Sequence, residues 1–142
     1  MNDRAFVDAN ILIYAHDVDA GERHAVAVLL VTELWETRKA VISTQVLQEF
    51  YVNATRNIPT PLPRAVARQF VRTYSAWQTE TVGPQDIQLA SELEEQHQLS
   101  FWDALIVAAA LKAGAGTILT EDLSPGRSIS GVRIENPFAN AR

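Results

Sequence analysis

The chain has 142 residues, 47% hydrophobic and 20% charged, with 17 acidic against 12 basic side chains and a formal net charge of −5. This balance predicts one globular domain, residues 1–142, rather than a disordered chain, and it argues against a passive nucleic-acid binder, which would be basic. The absence of cysteine excludes disulfides, thiolate catalysis and cysteine-based zinc sites. MNDRAF lacks the layout of a secretion signal and no apolar run reaches the roughly 20 residues that span a bilayer, so the expectation is a soluble, cytoplasmic protein without membrane contact.

Residues 4–8, RAFVD, read as a short buried strand. The next periodic segment predicts a helix over 21–38, with an apolar stripe through Ala25, Val28, Leu29, Leu34 and Trp35. AVIS at 40–43 reads as a second strand and 45–56 as a helix. IPTPLP then places three prolines in six residues and breaks the chain between helices. A helix from about 63 to 77 follows, then a short strand at TETV. Pro84 opens a helix running to about His97, since a proline in the first turn loses no hydrogen bond. Ser100 and Asp103 have the spacing of a capping box, which starts the next helix near Phe101; Gly114 and Gly116 end it. TILT at 117–120 and VRIE at 132–135 read as strands.

Short buried strands alternating with helices predict an α/β fold, a parallel sheet covered by helices. Ligands of such sheets bind beyond the carboxyl ends of the strands. Asp8 and Asp122 each end a strand-like run, Glu49 lies in the helix just past the second strand, and Asp103 opens a later helix. Four carboxylates brought together would repel one another, and an oxygen-rich, thiol-free cluster suits Mg²⁺ or Mn²⁺.

Each acid also has an ordinary role open to it. Asp8 is placed to cap a helix. Glu49 can be a solvated helix residue, although Leu47, Phe50, Tyr51 and Val52 around it argue for partial burial. Asp103 can complete the Ser100 capping box, and Asp122 can belong to the turn before Ser124-Pro125-Gly126. His16, His24 and His97 lack metal-site spacing and read as surface residues; Trp35, Trp77 and Trp102 read as core or interface aromatics. Arg64, Arg68 and Arg72 recur every four residues behind Arg56. They can track a phosphate backbone or form a solvated face. Asp86, Glu92, Glu94 and Glu95 would keep RNA from the segment 86–97. Neither a G-x-x-x-x-G-K-[ST] nor a G-x-G-x-x-G loop is present.

Four segments in order, FVDANILIYA, ISTQVLQEFYVNATR, LSFWDALIVAAA and ILTEDLSPGRSISGVRIENPF, resemble PIN-domain ribonucleases, specifically the VapC-type toxins of bacterial toxin–antitoxin pairs. With the helices between them, the resemblance covers essentially the whole chain. It implies a three-layer α/β/α fold with a central parallel sheet of four to five short strands. It also implies an endoribonuclease using Mg²⁺ or Mn²⁺ held by Asp8, Glu49, Asp103 and Asp122. Asn10 and Thr120 would orient ligands or water, and Glu121 stands beside the final acid as a substitute ligand. Arg127 is a further candidate for substrate contact. An RNA substrate, a homodimer and a cognate antitoxin are the implied partners. Two other readings stay open. A phosphatase of the haloacid dehalogenase type would use Asp8 as nucleophile, but has Asn10 where a second acid belongs. An RNA-binding or scaffold domain would use the acids only as caps.

Overall fold

The computed structural model describes residues 3–141. The strands are β1 (Ala5–Val7), β2 (Ala40–Ser43), β3 (Gln78–Glu80), β4 (Thr117–Leu119), β5 (Ser128–Ile129) and β6 (Val132–Glu135). The helices are α1 (Ala9–His16), α2 (Glu22–Thr37), α3 (Thr44–Arg56), α4 (Arg64–Tyr74), α5 (Pro84–His97) and α6 (Phe101–Lys112). The strands form one sheet in the order β3-β2-β1-β4-β6-β5, parallel throughout except for the β5–β6 hairpin.

Burial explains the parallel arrangement. Phe6, Val7, Val41, Ile42 and Ile118 are almost wholly removed from water, as strands covered on both faces must be. Helices flank the sheet: α1 packs on α2 and α3, α3 on α4, and α5 on α6. In α6 every residue from Ala104 to Ala110 is buried, so this helix is apolar all round. β1 pairs with β2 on one side and β4 on the other, with Val7 opposite Leu119. The chain winds outward from β1 in both directions, which places the crevice of the sheet at the carboxyl ends of β1 and β4.

The sheet has six strands where four to five were expected, because the two-residue β5 adds an antiparallel edge. The sequence pattern also assigns nothing to residues 9–20, where α1 lies. α2 turns a different face inward. Ala27, Val31 and Leu34 are buried, whereas Val28 is 40% and Leu29 73% exposed. AVAVLLV at 25–31 is apolar throughout, so periodicity alone does not choose the buried side. His16 is not a surface residue: it is half-buried, its Nε2 lies 2.7 Å from the Tyr74 hydroxyl, and its ring meets Phe50 and Phe70. Trp77 is in the core against Trp35, but Trp102 is 64% exposed. Asp86 does not contribute to an acidic surface. It is buried, accepts from the Gly83 N–H in the capping box of α5, and pairs with Lys112.

Candidate active site

Asp8 immediately follows β1 and is the N-cap of α1, with backbone in the extended region. Its Oδ1 accepts from the Ala9 N–H at 2.7 Å, and its Oδ2 accepts from the Thr120 hydroxyl at 2.8 Å. Its own N–H donates to the Leu119 carbonyl, which locks the two strand ends side by side. One carboxylate thus both caps α1 and binds the residue that follows β4.

Thr120 uses its hydroxyl completely. Besides donating to Asp8, it accepts from the Asp122 N–H at 3.1 Å and from Asn10 Nδ2 at 3.2 Å. A hydroxyl has one donor and two acceptor positions, so its orientation is fixed. Asn10, the second residue of α1, joins the same network. Its Nδ2 also donates to Asp122 Oδ2 at 3.1 Å, and its Oδ1 accepts from the Glu121 N–H at 3.3 Å. One amide thus ties α1 to all three residues after β4. Thr120 is buried and Asp122 exposed, as expected where a strand end meets a cleft.

Glu49 is half-buried on α3, where Gln45, one turn earlier, donates to its Oε1 at 3.0 Å. Asp103 sits in the first turn of α6. Ser100 Oγ accepts from the Asp103 N–H at 3.1 Å, which is the serine half of a capping box. Among the described residues the Ser100 N–H does not donate back to the Asp103 carboxylate, so that carboxylate is not consumed as a cap.

The acids share one electrostatic field. Burial pushes the Asp8 carboxyl up to about 6; the bonds from Thr120 and Ala9 oppose this, and the charges of Glu49 and Asp122 add to it. Burial also raises Glu49, opposed by the Gln45 bond and reinforced by Asp122 and Asp103. The ion pairs of the described residues involve other acids: Glu121 with Arg23, Asp3 with Lys39, Asp86 with Lys112 and Glu135 with Arg133. The donor set is all oxygen, which fits a hard divalent cation. As placed, no three acidic or histidine side chains among the described residues close on a common point tightly enough to ligate an ion.

The other expected residues lie elsewhere. Glu121 turns from Asp122 toward α1 and α2, accepting from the Tyr14 hydroxyl at 2.7 Å and Arg23 Nε at 2.6 Å. Burial would raise its carboxyl, but these two partners hold it below the ordinary value. Arg64, Arg68 and Arg72 are exposed on α4, and Arg68 borders an apolar groove with Leu47, Tyr51, Val52 and Val71. Arg127 donates to the His97 carbonyl at 2.8 Å and fastens the loop after β4 to the end of α5. Sequence reasoning missed Gln45, Tyr14 and Arg23. The four-residue spacing of Gln45 and Glu49 on one helix was a usable signal; nothing local foretold that Arg23 would meet Glu121.

A mostly parallel sheet flanked by helices, with Asp8 and Asp122 following its central strands, defines an α/β protein of three layers. Residues 5–125 match the model of the PIN domain, and the chain belongs to the PIN-domain family. Among solved structures it is similar to VapC20 of Mycobacterium tuberculosis, described as a sarcin–ricin-loop-cleaving toxin. They share 26% identity over 80% of this chain and 86% of that one, with a TM-score of 0.62. The fold is shared with a toxin–antitoxin complex from Klebsiella pneumoniae, at 21% identity, 94% and 97% coverage and a TM-score of 0.63. It is shared too with DNA-bound VapBC from Salmonella typhimurium, at 17% identity, 95% and 98% coverage and a TM-score of 0.64. Comparison with curated proteins gives no match. Among the described residues no helix is long and apolar enough to cross a membrane.

Proposed function

We propose that this chain is a metal-dependent endoribonuclease acting as the toxin of a toxin–antitoxin pair. The observation that carries the proposal is the buried Asp8 at the central strand end, within the electrostatic reach of Glu49 and Asp122 and tied through Thr120 to the loop of Asp122. The similarity to VapC20 supports the choice of RNA as substrate and of toxin as role. In this reading Asp8, Glu49, Asp103 and Asp122 would hold Mg²⁺ or Mn²⁺. Such an ion, when bound, neutralises phosphodiester charge and lowers the pKa of an attacking water.

This chain's own residues prepare the cleft for that chemistry. Thr120 and the Ala9 N–H hold the two oxygens of Asp8 in fixed directions. Asn10 orients Asp122, and Gln45 orients Glu49. These outer bonds set the direction of each carboxylate lone pair, which is how surrounding groups tune a metal site. Arg64, Arg68 and Arg72 are proposed to track the phosphate backbone, with Arg127 as a further contact. The proposed partners are a cognate antitoxin, a second copy of the chain in a homodimer, and cytoplasmic RNA. The phosphatase alternative loses its acid: Asn10 spends both ends of its amide on residues 120–122.

Purified protein incubated with RNA and Mn²⁺ should give cleavage products ending in 5′-phosphate and 3′-hydroxyl, with no hydrolysis of a small phosphomonoester. Asp8→Asn and Asp103→Asn should each reduce cleavage about 100-fold or more while keeping the fold, by analogy with the loss of other groups that stabilise transition-state charge. Wild-type rates in both variants would remove the quartet from the reaction.

A further inference from the structure

Next to the acids lies a second concavity of about 340 Å³ that the reaction as described leaves unused. Gln45 and Gln48 of α3, Ile87 of α5 and Phe101 and Trp102 of α6 line it. No lining side chain is charged. Trp102 is 64% and Ile87 48% exposed, so the groove presents a large indole and an aliphatic side chain to solvent. The edge-to-face contact of Phe101 with Trp102, centroids 5.3 Å apart at 78°, supports the indole.

Gln45 makes this groove more than an apolar dent. Its Nε2 donates to Glu49 Oε1 and lies 3.4 Å from the Trp102 carbonyl, so one amide bridges the acid cluster and the turn carrying the indole. Its Oε1 is buried and has no partner in the protein. A buried amide oxygen without a donor costs free energy until a donor arrives. Trp102 is also the residue before Asp103. Residues of the groove thus adjoin the acids at two points, Gln45 by its hydrogen bond to Glu49 and Trp102 as the chain neighbour of Asp103.

We propose that this groove is a nucleobase subsite, in which an unpaired base stacks on the Trp102 indole and presents its N–H edge to Gln45. The proposal rests on the ribonuclease reading above and deepens it. The uncharged lining suits a neutral base rather than a phosphate, whereas the amides of Gln45 and Gln48 match a base edge better than an aliphatic partner would. A strand with a phosphate at the acids carries its adjoining base to within a nucleotide of this groove. Only a base free of its own stack and pair can lie on the indole, so the subsite selects single-stranded or looped RNA. It also links recognition to the reaction, because the amide that meets the base is the one that holds Glu49.

The test uses metal-free wild-type protein, kept from cleaving by chelator, titrated with a six-nucleotide oligoadenylate and with the same backbone made abasic. Trp77 is buried against Trp35, so quenching by the oligoadenylate should come from Trp102 and vanish in Trp102→Phe. Binding of oligoadenylate should weaken about ten-fold or more in Trp102→Ala, stay close to wild type in Trp102→Phe, and exceed binding of the abasic strand by a similar factor. With Mn²⁺ present, Trp102→Ala should raise KM for single-stranded RNA more than it lowers kcat. Equal binding of both strands, or unchanged binding and cleavage in Trp102→Ala, would overturn the subsite and leave the nuclease reading intact. A fall in sedimentation coefficient for Trp102→Ala, with Trp102 unquenched in wild type, would assign this face to a second copy and overturn it as well. Wild-type protein that neither binds nor cuts RNA would sink the ribonuclease reading itself.

Discussion

Asp8 carries two opposed contributions. Its bonds to Ala9 and Thr120 favour the carboxylate, yet burial and its acidic neighbours favour the acid. The second effect prevails: folding raises the pKa from the ordinary 3.8 of an aspartate to about 6. The folded state therefore holds a proton more tightly than the unfolded chain. Its contribution to stability is complete below about pH 4 and is lost as the pH rises through 6. At pH 7.5 without metal, Asp8→Asn should therefore melt higher than wild type, by a free energy on the order of 2 kcal/mol. The difference should shrink at pH 4. Mn²⁺ should raise the melting temperature of wild type more than that of the variant, because ligand binding to the native state stabilises by mass action. Calorimetry at the two pH values checks this. A variant that melts lower at pH 7.5 would mean that the cap on α1 outweighs the repulsion.

At the scale of elements, α1 was the hardest to foresee and carries much of the site's geometry. ANILIYAH buries Ala9, Ile11 and Leu12, a nearly continuous apolar run that reads equally well as an extension of β1. β1, β2 and β4 were legible because both of their faces are buried and every residue is therefore apolar or small. The acids were legible because strand ends and helix starts are visible in the pattern. Gln45, Tyr14 and Arg23 were less so, since their roles depend on which helix faces meet. The far end of α1 makes a second tie, from His16 to Tyr74 of α4. Burial, aided by His24, pushes the His16 imidazole down to about 4. A folded pKa below the unfolded value of about 6.5 means that this contribution to stability is present above pH 6.5 and is lost as the pH falls toward 4. His16→Gln, which keeps a hydrogen-bonding group for Tyr74, should flatten the decline of melting temperature between pH 6.5 and 4. The same slope in both proteins would show that His16 takes up its proton without opposing the fold.

At the scale of the whole molecule, the proposed role predicts a partner. An acidic cleft is most simply blocked by a segment that brings an arginine or lysine to the carboxylates, while apolar contacts elsewhere supply affinity. Expression of the wild-type chain alone should arrest growth, expression of Asp8→Asn should not, and co-expression of a small protein encoded beside it should restore growth. Binding of that protein should weaken when charge is removed from the quartet, measurable by calorimetry with Asp8→Asn. Normal growth at high levels of soluble wild type would count against the toxin role and leave the nuclease chemistry open. The sheet order has a consequence for a cell that makes this protein. β1 lies between β2, which follows it early in the chain, and β4, which comes much later, after all six helices. Asp8 waits through 111 intervening residues before Thr120 can meet it. At the usual pace of roughly 5–20 residues per second, the nascent chain spends several seconds or more with half a cleft. Whatever that cleft does, it cannot close until the ribosome has passed Thr120, so the order of the strands delays its completion.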